Sequence, residues 1–195
     1  MKHQTLTWLT MMIVVVVGTS SLQGADRSVT AGGQGEVFKK VFAYDRTFKR
    51  AKAIHVFIVG AVKGDGEVEE LAGGFRKAGI QPTIIWEDET IELRPNDQIV
   101  VVSGKGGVHT DESWTLKSSV VYFLPGIEVA AIKQFCTDAG VLSISGTPSF
   151  AEAGDVSVST DPEAGGSQIV VNLSRMREEK HELSADLLRI ARVVR

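Results

Sequence analysis

The 195-residue sequence contains a single cysteine, Cys136. One thiol cannot close a disulfide within the chain, and it cannot provide the several cysteine ligands of a structural zinc site. The sequence also lacks a Gly-x-Ser-x-Gly motif, which excludes the nucleophile turn of the α/β hydrolases. Because Cys136 follows Phe135 in a segment with helical spacing, we expect a buried, unreactive thiol rather than a nucleophile.

Basic residues are few and scattered. The chain has 21 Lys and Arg against 24 Asp and Glu, a net charge of -3, and no segment concentrates the positive charges. Nucleic-acid binding needs a dense basic face, so nucleic acid is excluded as the expected partner. By contrast, 43% of the residues are hydrophobic and 23% are charged, which predicts a packed core rather than a disordered chain.

No apolar run reaches the ~20 residues that a membrane-spanning helix needs. The run that begins at Met11 ends at Val17, follows Lys2 and leads into small and polar residues, and no acidic residue precedes Asp26. This order is typical of a secretory signal peptide, whereas the alternative, a retained membrane anchor, needs a longer apolar stretch. We therefore predict that cleavage near Ala25 removes the segment.

Export divides the chain into three parts. We predict a signal peptide over residues 1–24, a flexible leader of small and polar residues over 25–35, and a single domain over 36–195. The mature protein is expected in the periplasm, where free nucleotides are scarce. No cofactor and no nucleotide hydrolysis are therefore predicted.

Helical and strand patterns alternate along the domain. Predicted helices begin at Glu36 and Ser184 and cover residues 68–78 and 127–139, the last closed by Gly140. Predicted strands cover residues 54–61, 80–86, 99–103, 120–124, 141–145, 156–160 and 168–173. The nearly all-apolar run 54–61 is typical of a strand buried on both faces, and Pro82 favours an edge position for the next strand. The expected buried stripe of the last helix comprises Leu187, Leu188, Ala191 and Val194.

These patterns predict an α/β fold: a mostly parallel mixed sheet with helices on both faces, a C-terminal β-hairpin and a closing helix. In such sheets ligands bind beyond the carboxyl ends of the strands. Turn residues whose backbone N–H groups could hold an anion follow several of the predicted strands. The candidate contacts are Gly60, Gly126, Gly146 and Thr147, with Phe150 in the same segment as the last two.

Residues 99–108 look like the start of a phosphate loop, because a strand runs into Gly-Lys-Gly-Gly around Lys105. The match is incomplete, since residues 109–112 stand where a second lysine and a magnesium-binding hydroxyl belong. Two of them, Asp111 and Glu112, would repel a triphosphate. A glycine-rich surface turn is the favoured interpretation.

The segment that follows could offer ligands to a divalent metal, from His109, Asp111, Glu112 and Ser113. In that case the protein would be a metal-assisted hydrolase. A site built from one short segment lacks the distant ligands that fix metal geometry, so a solvated loop is favoured. His55 lies in a predicted buried strand, and we expect it to be a hydrogen-bonded core side chain.

Two charged segments are further candidates for a functional site. The carboxylates at 87–89, which follow Trp86, form either an acid–base pair or a solvated face, and the solvated face is favoured. Tyr44, Asp45 and Arg46 on the first predicted helix form either a recognition patch or a helix-end salt bridge.

Several spaced segments resemble the YfiR family of periplasmic proteins. Near the carboxyl terminus they are residues 141–150 (Val-Leu-Ser-Ile-Ser-Gly-Thr-Pro-Ser-Phe), the hairpin, and residues 169–173 and 187–195. Near the amino terminus they are residues 42–46 (Phe-Ala-Tyr-Asp-Arg) and 54–60 (Ile-His-Val-Phe-Ile-Val-Gly), and Pro125-Gly126 is similar too. The resemblance covers most of residues 36–195 and is weakest over 87–119.

The resemblance implies an exported α/β domain without enzymatic activity. The best-known member of the family represses a membrane diguanylate cyclase by binding the periplasmic sensor domain of that enzyme, and members tend to associate as dimers. This sequence differs in two respects. Characterised relatives carry disulfides that Cys136 alone cannot form, and Gly154-Asp155 stands where the family has Gly-Gly or Gly-Leu.

Three functions remain open. The first is a non-enzymatic periplasmic regulator that docks on the extracytoplasmic domain of a membrane signalling protein, such as a diguanylate cyclase in cyclic-di-GMP signalling. The second is a periplasmic receptor for a small anionic solute, and the third is the metal-assisted hydrolase. The lack of a catalytic motif, the export signal and the resemblance favour the first.

Export is directly testable. A C-terminally tagged protein is expected in the periplasmic fraction, with an amino terminus near Ala25, because the first segment has the order of a signal peptide. Fractionation and amino-terminal sequencing check this. Recovery of the full-length chain from the cytosol would contradict it.

Overall fold

The structure is a computed structural model that describes residues 30–94, 97–105, 107–161 and 168–195. The strands are β1 (His55–Ala61), β2 (Gln81–Trp86), β3 (Glu89–Arg94), β4 (Gln98–Ser103), β5 (Val108–Thr115), β6 (Ser119–Phe123), β7 (Leu142–Ser145), β8 (Val158–Asp161), β9 (Gln168–Asn172) and β10 (Arg192–Val194). The helices are α1 (Ala31–Tyr44), α2 (Gly66–Lys77), α3 (Val129–Ala139), α4 (Pro148–Glu152), α5 (Leu173–Glu178) and α6 (Ala185–Ile190).

Seven strands form the main sheet, in the order β10-β9-β8-β7-β6-β1-β2. Strand β1 pairs in parallel with both β2 and β6, and β7 and β8 continue the parallel arrangement. Strand β9 is antiparallel to β8, and β10 returns parallel to β9. The predicted α/β fold with a mostly parallel mixed sheet and a late hairpin is therefore confirmed.

The main sheet buries both of its faces. Along β1, Val56 and Ile58 belong to a core shared with α1, α2 and α6, whereas Phe57 and Val59 belong to a second core shared with α3 and α4. This alternation follows from the strand geometry, in which successive side chains point to opposite faces. The sheet is thus covered by helices on both faces, as the nearly all-apolar run 54–61 predicted.

Two local predictions are also confirmed. Strand β2, which carries Pro82, lies at an edge of the main sheet, where the missing N–H of proline removes no hydrogen bond from an inner ladder. Gly140 closes α3 in the left-handed conformation with φ 65°.

The first helix begins earlier than predicted. Helix α1 starts at Ala31 rather than Glu36, so residues 31–35 of the predicted leader are helical. The reason is a close helix–helix contact, since a Cβ added to Gly35 would lie 2.3 Å from the carbonyl oxygen of Gly74 on α2. The glycines that suggested a mobile segment instead let two helix backbones touch. Residues 1–29, which include the predicted signal peptide and most of the rest of the leader, lie outside the described residues.

A second sheet was not predicted. Strands β3, β4 and β5 form a three-stranded antiparallel sheet, so residues 99–103 do not belong to the main sheet. Ile99 and Val101 of β4 are buried in the second core, and Trp114 of β5 packs edge-on against Phe57 with ring centroids 5.2 Å apart. The small sheet therefore completes the cover over one face of the main sheet.

The carboxyl terminus differs from the predicted long helix. Helix α6 ends at Ile190, and the next residues form β10, in which Val194 pairs with Asn172 of β9. Leu187 is buried as predicted, while Leu188 is only half-buried against the same core. Pairing with β9 straightens the last residues, which satisfies backbone groups that a helix end would leave unpaired.

In the part of the chain that the structure describes, each helix is too short or too polar to cross a membrane.

Helix α6 offers a matched test of the core. Leu187→Ala is expected to lower the free energy of unfolding by ~2–5 kcal/mol, because a fully buried leucine leaves a cavity. Ile190→Ala in the same helix should change it by less than ~0.5 kcal/mol, since Ile190 is 69% exposed. Urea unfolding of both variants measures the difference, and equal effects would show that α6 does not pack on the sheet.

Candidate functional site

The carboxyl ends of β1, β2, β6 and β7 meet at one edge of the main sheet, because these strands are parallel neighbours. This carboxyl edge is where ligands bind in open α/β sheets. Two hollows open there, and Gly60 near the end of β1 lines both of them. The edge predicted from the sequence is therefore concave.

Gly60 cannot be replaced by a larger residue without displacing its surroundings. Its φ of 89° lies in the region that favours glycine, and a Cβ there would lie 1.7 Å from Cγ2 of Ile127. Ile127 follows Gly126, another predicted contact, and leads into α3. The close approach thus fixes the start of α3 against the end of β1.

The first hollow, here named the carboxyl-edge cleft, lies between α3 and the turn from β2 to β3. Its volume is about 400 Å³. Most of its walls are apolar, and the lining residues are Val59, Gly60, Val62, Ile85, Trp86, Glu87, Glu89, Thr90, Ile91, Gly126, Ile127, Glu128, Ala131, Ile132 and Phe135. A concave, largely apolar surface of this size is typical of a binding site.

All the charged groups that line the carboxyl-edge cleft are carboxylates. They belong to Glu87, Glu89 and Glu128, and within the described residues no lysine, arginine or histidine lines it. Glu89 is held in place because its Oε2 accepts a hydrogen bond from the backbone N–H of Trp86 at 3.1 Å. Lys63, in the segment between β1 and α2, is paired with Asp88 of the β2–β3 turn at 3.6 Å. The cleft therefore favours neutral or positively charged groups over anions.

The second hollow lies between the start of α1 and the end of β7. Gly146 and Thr147 line it together with Gly60 and Tyr122. The Tyr122 hydroxyl donates a hydrogen bond to Oε1 of Gln34 at 2.6 Å, and burial raises the pKa of Tyr122. A Cβ on Gly146 would lie 2.4 Å from that hydroxyl, so a larger residue would displace the Tyr122 and Gln34 side chains. The rest of the lining is mostly apolar, with two carboxylates from Asp65 and Glu67. The Tyr122 hydroxyl stays protonated at neutral pH.

The predicted recognition patch does not form one surface. Asp45 is fully buried and its Oδ2 lies 2.9 Å from Nδ1 of His181, while Arg46 pairs with exposed Glu182 at 2.7 Å. Tyr44 is 37% exposed at the end of α1. The start of α1 lines the second hollow, so these residues lie ~20 Å away from the carboxyl edge.

Phe150 is half-buried against the second core. It lies in α4 and packs edge-on against Phe123 of β6, with ring centroids 6.4 Å apart. The structure brings together Gly60, Gly126, Gly146 and Thr147 in the two hollows of the carboxyl edge, and Phe150 lines neither of them.

The Gly-Lys-Gly-Gly segment connects two antiparallel strands. The backbone N–H of Ser103 donates to the carbonyl of Gly107 at 2.8 Å, which closes a turn between β4 and β5. A phosphate loop instead leads from a strand into a helix. The favoured surface turn is confirmed for the described residues, of which Lys105 is exposed.

The predicted metal ligands follow on β5 rather than on a loop. His109 and Asp111 are exposed there, and the described residues contain no group of three or more His, Cys, Asp or Glu side chains that could hold a metal. Cys136 is buried in α3, and burial raises its pKa, as expected for an unreactive thiol.

A buried polar cluster lies beneath the C-terminal strands. Glu179 accepts a hydrogen bond from the backbone N–H of Ser143 at 2.9 Å and pairs with Arg175 at 2.9 Å, and the Ser157 hydroxyl also donates to it. Burial raises the pKa of Glu179, although Arg175 acts in the opposite direction. Both side chains are closed to solvent, so the cluster holds the fold and cannot reach a substrate.

The sequence did not identify the α3 wall of the carboxyl-edge cleft. The pattern predicted a helix over residues 127–139 but gave no reason to single out Glu128, Ile132 or Phe135. One usable feature was present: adjacent alanines at 130 and 131 leave the start of α3 with little side-chain bulk on its exposed side.

Neither a protein-family model nor a curated protein matches this chain.

The contact between Gly60 and Ile127 can be tested by substitution. Gly60→Ala and Gly126→Ala both place alanine at a positive φ, which costs ~1–2 kcal/mol. Only Gly60→Ala also overpacks, because open space surrounds Gly126, and this should cost ~1–3 kcal/mol more. Thermal unfolding of the two variants measures the difference. Equal destabilisation would argue against the close approach that fixes α3.

Proposed function

We propose that the protein is an exported, non-enzymatic regulator that binds the extracytoplasmic domain of a membrane signalling protein through the carboxyl-edge cleft. The observation that carries the proposal is the composition of this cleft. It has apolar walls and a carboxylate rim. Such a surface supplies contact area and charge of one sign to a partner.

The cleft suits one apolar side chain of a partner, flanked by basic residues. Burial of a leucine- or phenylalanine-sized side chain contributes ~1.5–3 kcal/mol, which is the scale of an interface anchor. The carboxylates of Glu87 and Glu128 stand at the rim, where opposite charges on a partner would speed association. A partner with an acidic surface would be repelled.

The resemblance to the YfiR family names the class of partner. A membrane diguanylate cyclase is the signalling protein that the best-known relative represses, so we propose a cyclase of cyclic-di-GMP signalling as the partner. The α/β fold is the one that the resemblance implies. The cyclase remains a proposal that membrane co-purification can test.

A receptor for a small solute is the second candidate, because the cleft volume of about 400 Å³ lies within the range of small-molecule sites. The anionic solute first considered for Gly60 and Gly126 does not fit, since both residues line a cleft rimmed with carboxylates. A receptor using this cleft would take a neutral or cationic apolar solute.

Neighbouring alanines on α3 provide a matched test of docking. Ala130 and Ala131 are both exposed, but only Ala131 lines the cleft. Ala131→Tyr is expected to fill the cleft and reduce recovery of the membrane partner by about tenfold or more, since loss of an anchor costs ~2 kcal/mol. Ala130→Tyr should leave recovery unchanged. Quantitative co-purification of the tagged mature protein from its own membranes measures both.

Equal recovery with the two variants would show that the cleft is not the docking surface. Recovery of no membrane protein by the wild-type protein, together with specific retention of a neutral or cationic solute, would favour the receptor.

A further inference from the structure

A third hollow opens at the opposite edge of the main sheet, where β1 begins. This amino-edge pocket has a volume of about 510 Å³. It lies between the segment that precedes β1 and the turn from β5 to β6, and its lining residues are Thr47, Arg50, Ala51, Lys52, Ala53, His55, Thr115, Lys117 and Ser118. The function proposed above makes no use of it.

The charges that line the amino-edge pocket are all positive. Arg50, Lys52 and Lys117 are exposed, and none of them forms an ion pair within the described part of the chain. No carboxylate lines the pocket there. Three cations gathered from two segments repel one another, and an anion between them would relieve that repulsion.

A buried histidine forms part of the pocket wall. His55 is only 3% exposed, and its ring nitrogens make no hydrogen bond to a described residue. A ring nitrogen without a protein partner in the wall of a cationic pocket can donate to a ligand that occupies the pocket. Burial lowers the pKa of His55, while the nearby charge of Asp111 on β5 raises it.

The remaining polar groups of the pocket are hydroxyls. Oγ1 of Thr115 and Oγ of Ser118 lie 2.9 Å apart, which orders the turn that carries Lys117. The backbone N–H of Thr47 is held by Asp45 at 2.7 Å, and the other carboxylate oxygen of Asp45 faces His181. The acidic group closest in sequence is thus engaged in the core rather than with the pocket cations.

We propose that the amino-edge pocket binds a small multivalent oxyanion such as inorganic phosphate, sulfate or a phosphate monoester. Arg50, Lys52 and Lys117 hold the charge, the hydroxyl of Thr115 is within the same pocket, and His55 donates an N–H from the wall. The site is separate from the carboxyl-edge cleft, so the anion-binding proposal does not depend on the docking function.

Binding is coupled to the protonation of His55. An anion favours the imidazolium over the neutral ring, so it raises the lowered pKa of His55. By linkage, the anion binds more tightly as the pH falls through that pKa. The charged groups around the ring are Arg50, Lys52 and Lys117 from the pocket and Asp111 from β5.

The test is an NMR titration of the wild-type mature protein with sulfate and with inorganic phosphate, at ionic strength kept constant with chloride. Saturable shifts confined to His55 and the residues around Thr115 and Lys117 are expected. Sulfate keeps its charge from pH 7.5 down to about pH 4.5, so sulfate binding that tightens as the pH falls below 6.5, the ordinary pKa of histidine, reports the protonation of His55.

Matched variants locate the site. Lys117→Gln is expected to weaken sulfate binding about tenfold, since a hydrogen bond to a charged group is worth that factor or more. Lys105→Gln removes the same charge in the exposed turn at the other end of β5, and should leave affinity unchanged. The pairing of Val108 and Thr115 with β4 places the two ends of β5 ~14 Å apart. Glycerol phosphate in place of sulfate tests whether an ester fits.

Two results would overturn the proposal. One is a response of the wild-type protein to sulfate and phosphate that does not saturate and matches that to chloride. The other is an equal loss of affinity in Lys117→Gln and Lys105→Gln, which would mean that only the overall charge matters. The wild-type titration decides even if a variant fails to fold.

Discussion

Burial of β1 on both faces is the constraint on which the rest of the structure depends. Its apolar side chains alternate between two cores, so each face of the sheet must be covered. Helices α1 and α2 cover one face, while α3 and the small antiparallel sheet cover the other. Because the neighbours β2 and β6 are parallel to β1, the turns that serve binding gather at its two ends.

Buried polar contacts then fix the C-terminal segment to this framework. Asp45 and His181 join the end of α1 to the residues after α5, and Arg175 and Glu179 join α5 to β7 through Ser143. Removing one partner of a buried pair typically costs ~3–5 kcal/mol, because the other charge is left without compensation. Such contacts define one arrangement of the late hairpin and α5, which apolar packing alone would specify less strictly.

The sequence predicted elements whose pattern is strong in isolation and missed those that depend on distant partners. Three such features each predict a structure without reference to distant residues, and all three predictions are confirmed. They are the apolar run 54–61, Pro82 and Gly140. Strand β5 was missed because its exposed polar residues resemble a loop. Its place in the fold depends on the contact of Trp114 with Phe57 in the second core, which the linear pattern does not show. The start of α1 was missed because the contact between Gly35 and Gly74 is invisible in a linear pattern.

The same reasoning explains how much of the candidate site was foreseen. Gly60 and Gly126 follow from the rule that ligands bind at strand carboxyl ends. The negative charge of this edge could not be predicted from the sequence, because Glu87 and Glu128 come from different segments that only the fold brings together. Likewise Arg50 and Lys117 are unremarkable in a sequence with scattered basic residues, and they line one pocket only after β1 and β6 have paired.

The two ends of β1 lead to surfaces of opposite charge. Gly60 near one end lines a cleft rimmed with carboxylates, and His55 at the other end lines a pocket rimmed with cations. Five residue steps of extended strand separate them by ~17 Å, beyond the ~8 Å over which exposed charges interact at physiological salt. Because both cores hold β1 in place, a ligand at one end of the strand is not expected to change the binding affinity at the other end. Distant sites without shared partners act additively, so the proposed partner at the carboxyl edge and the proposed anion at the amino edge are expected to bind independently.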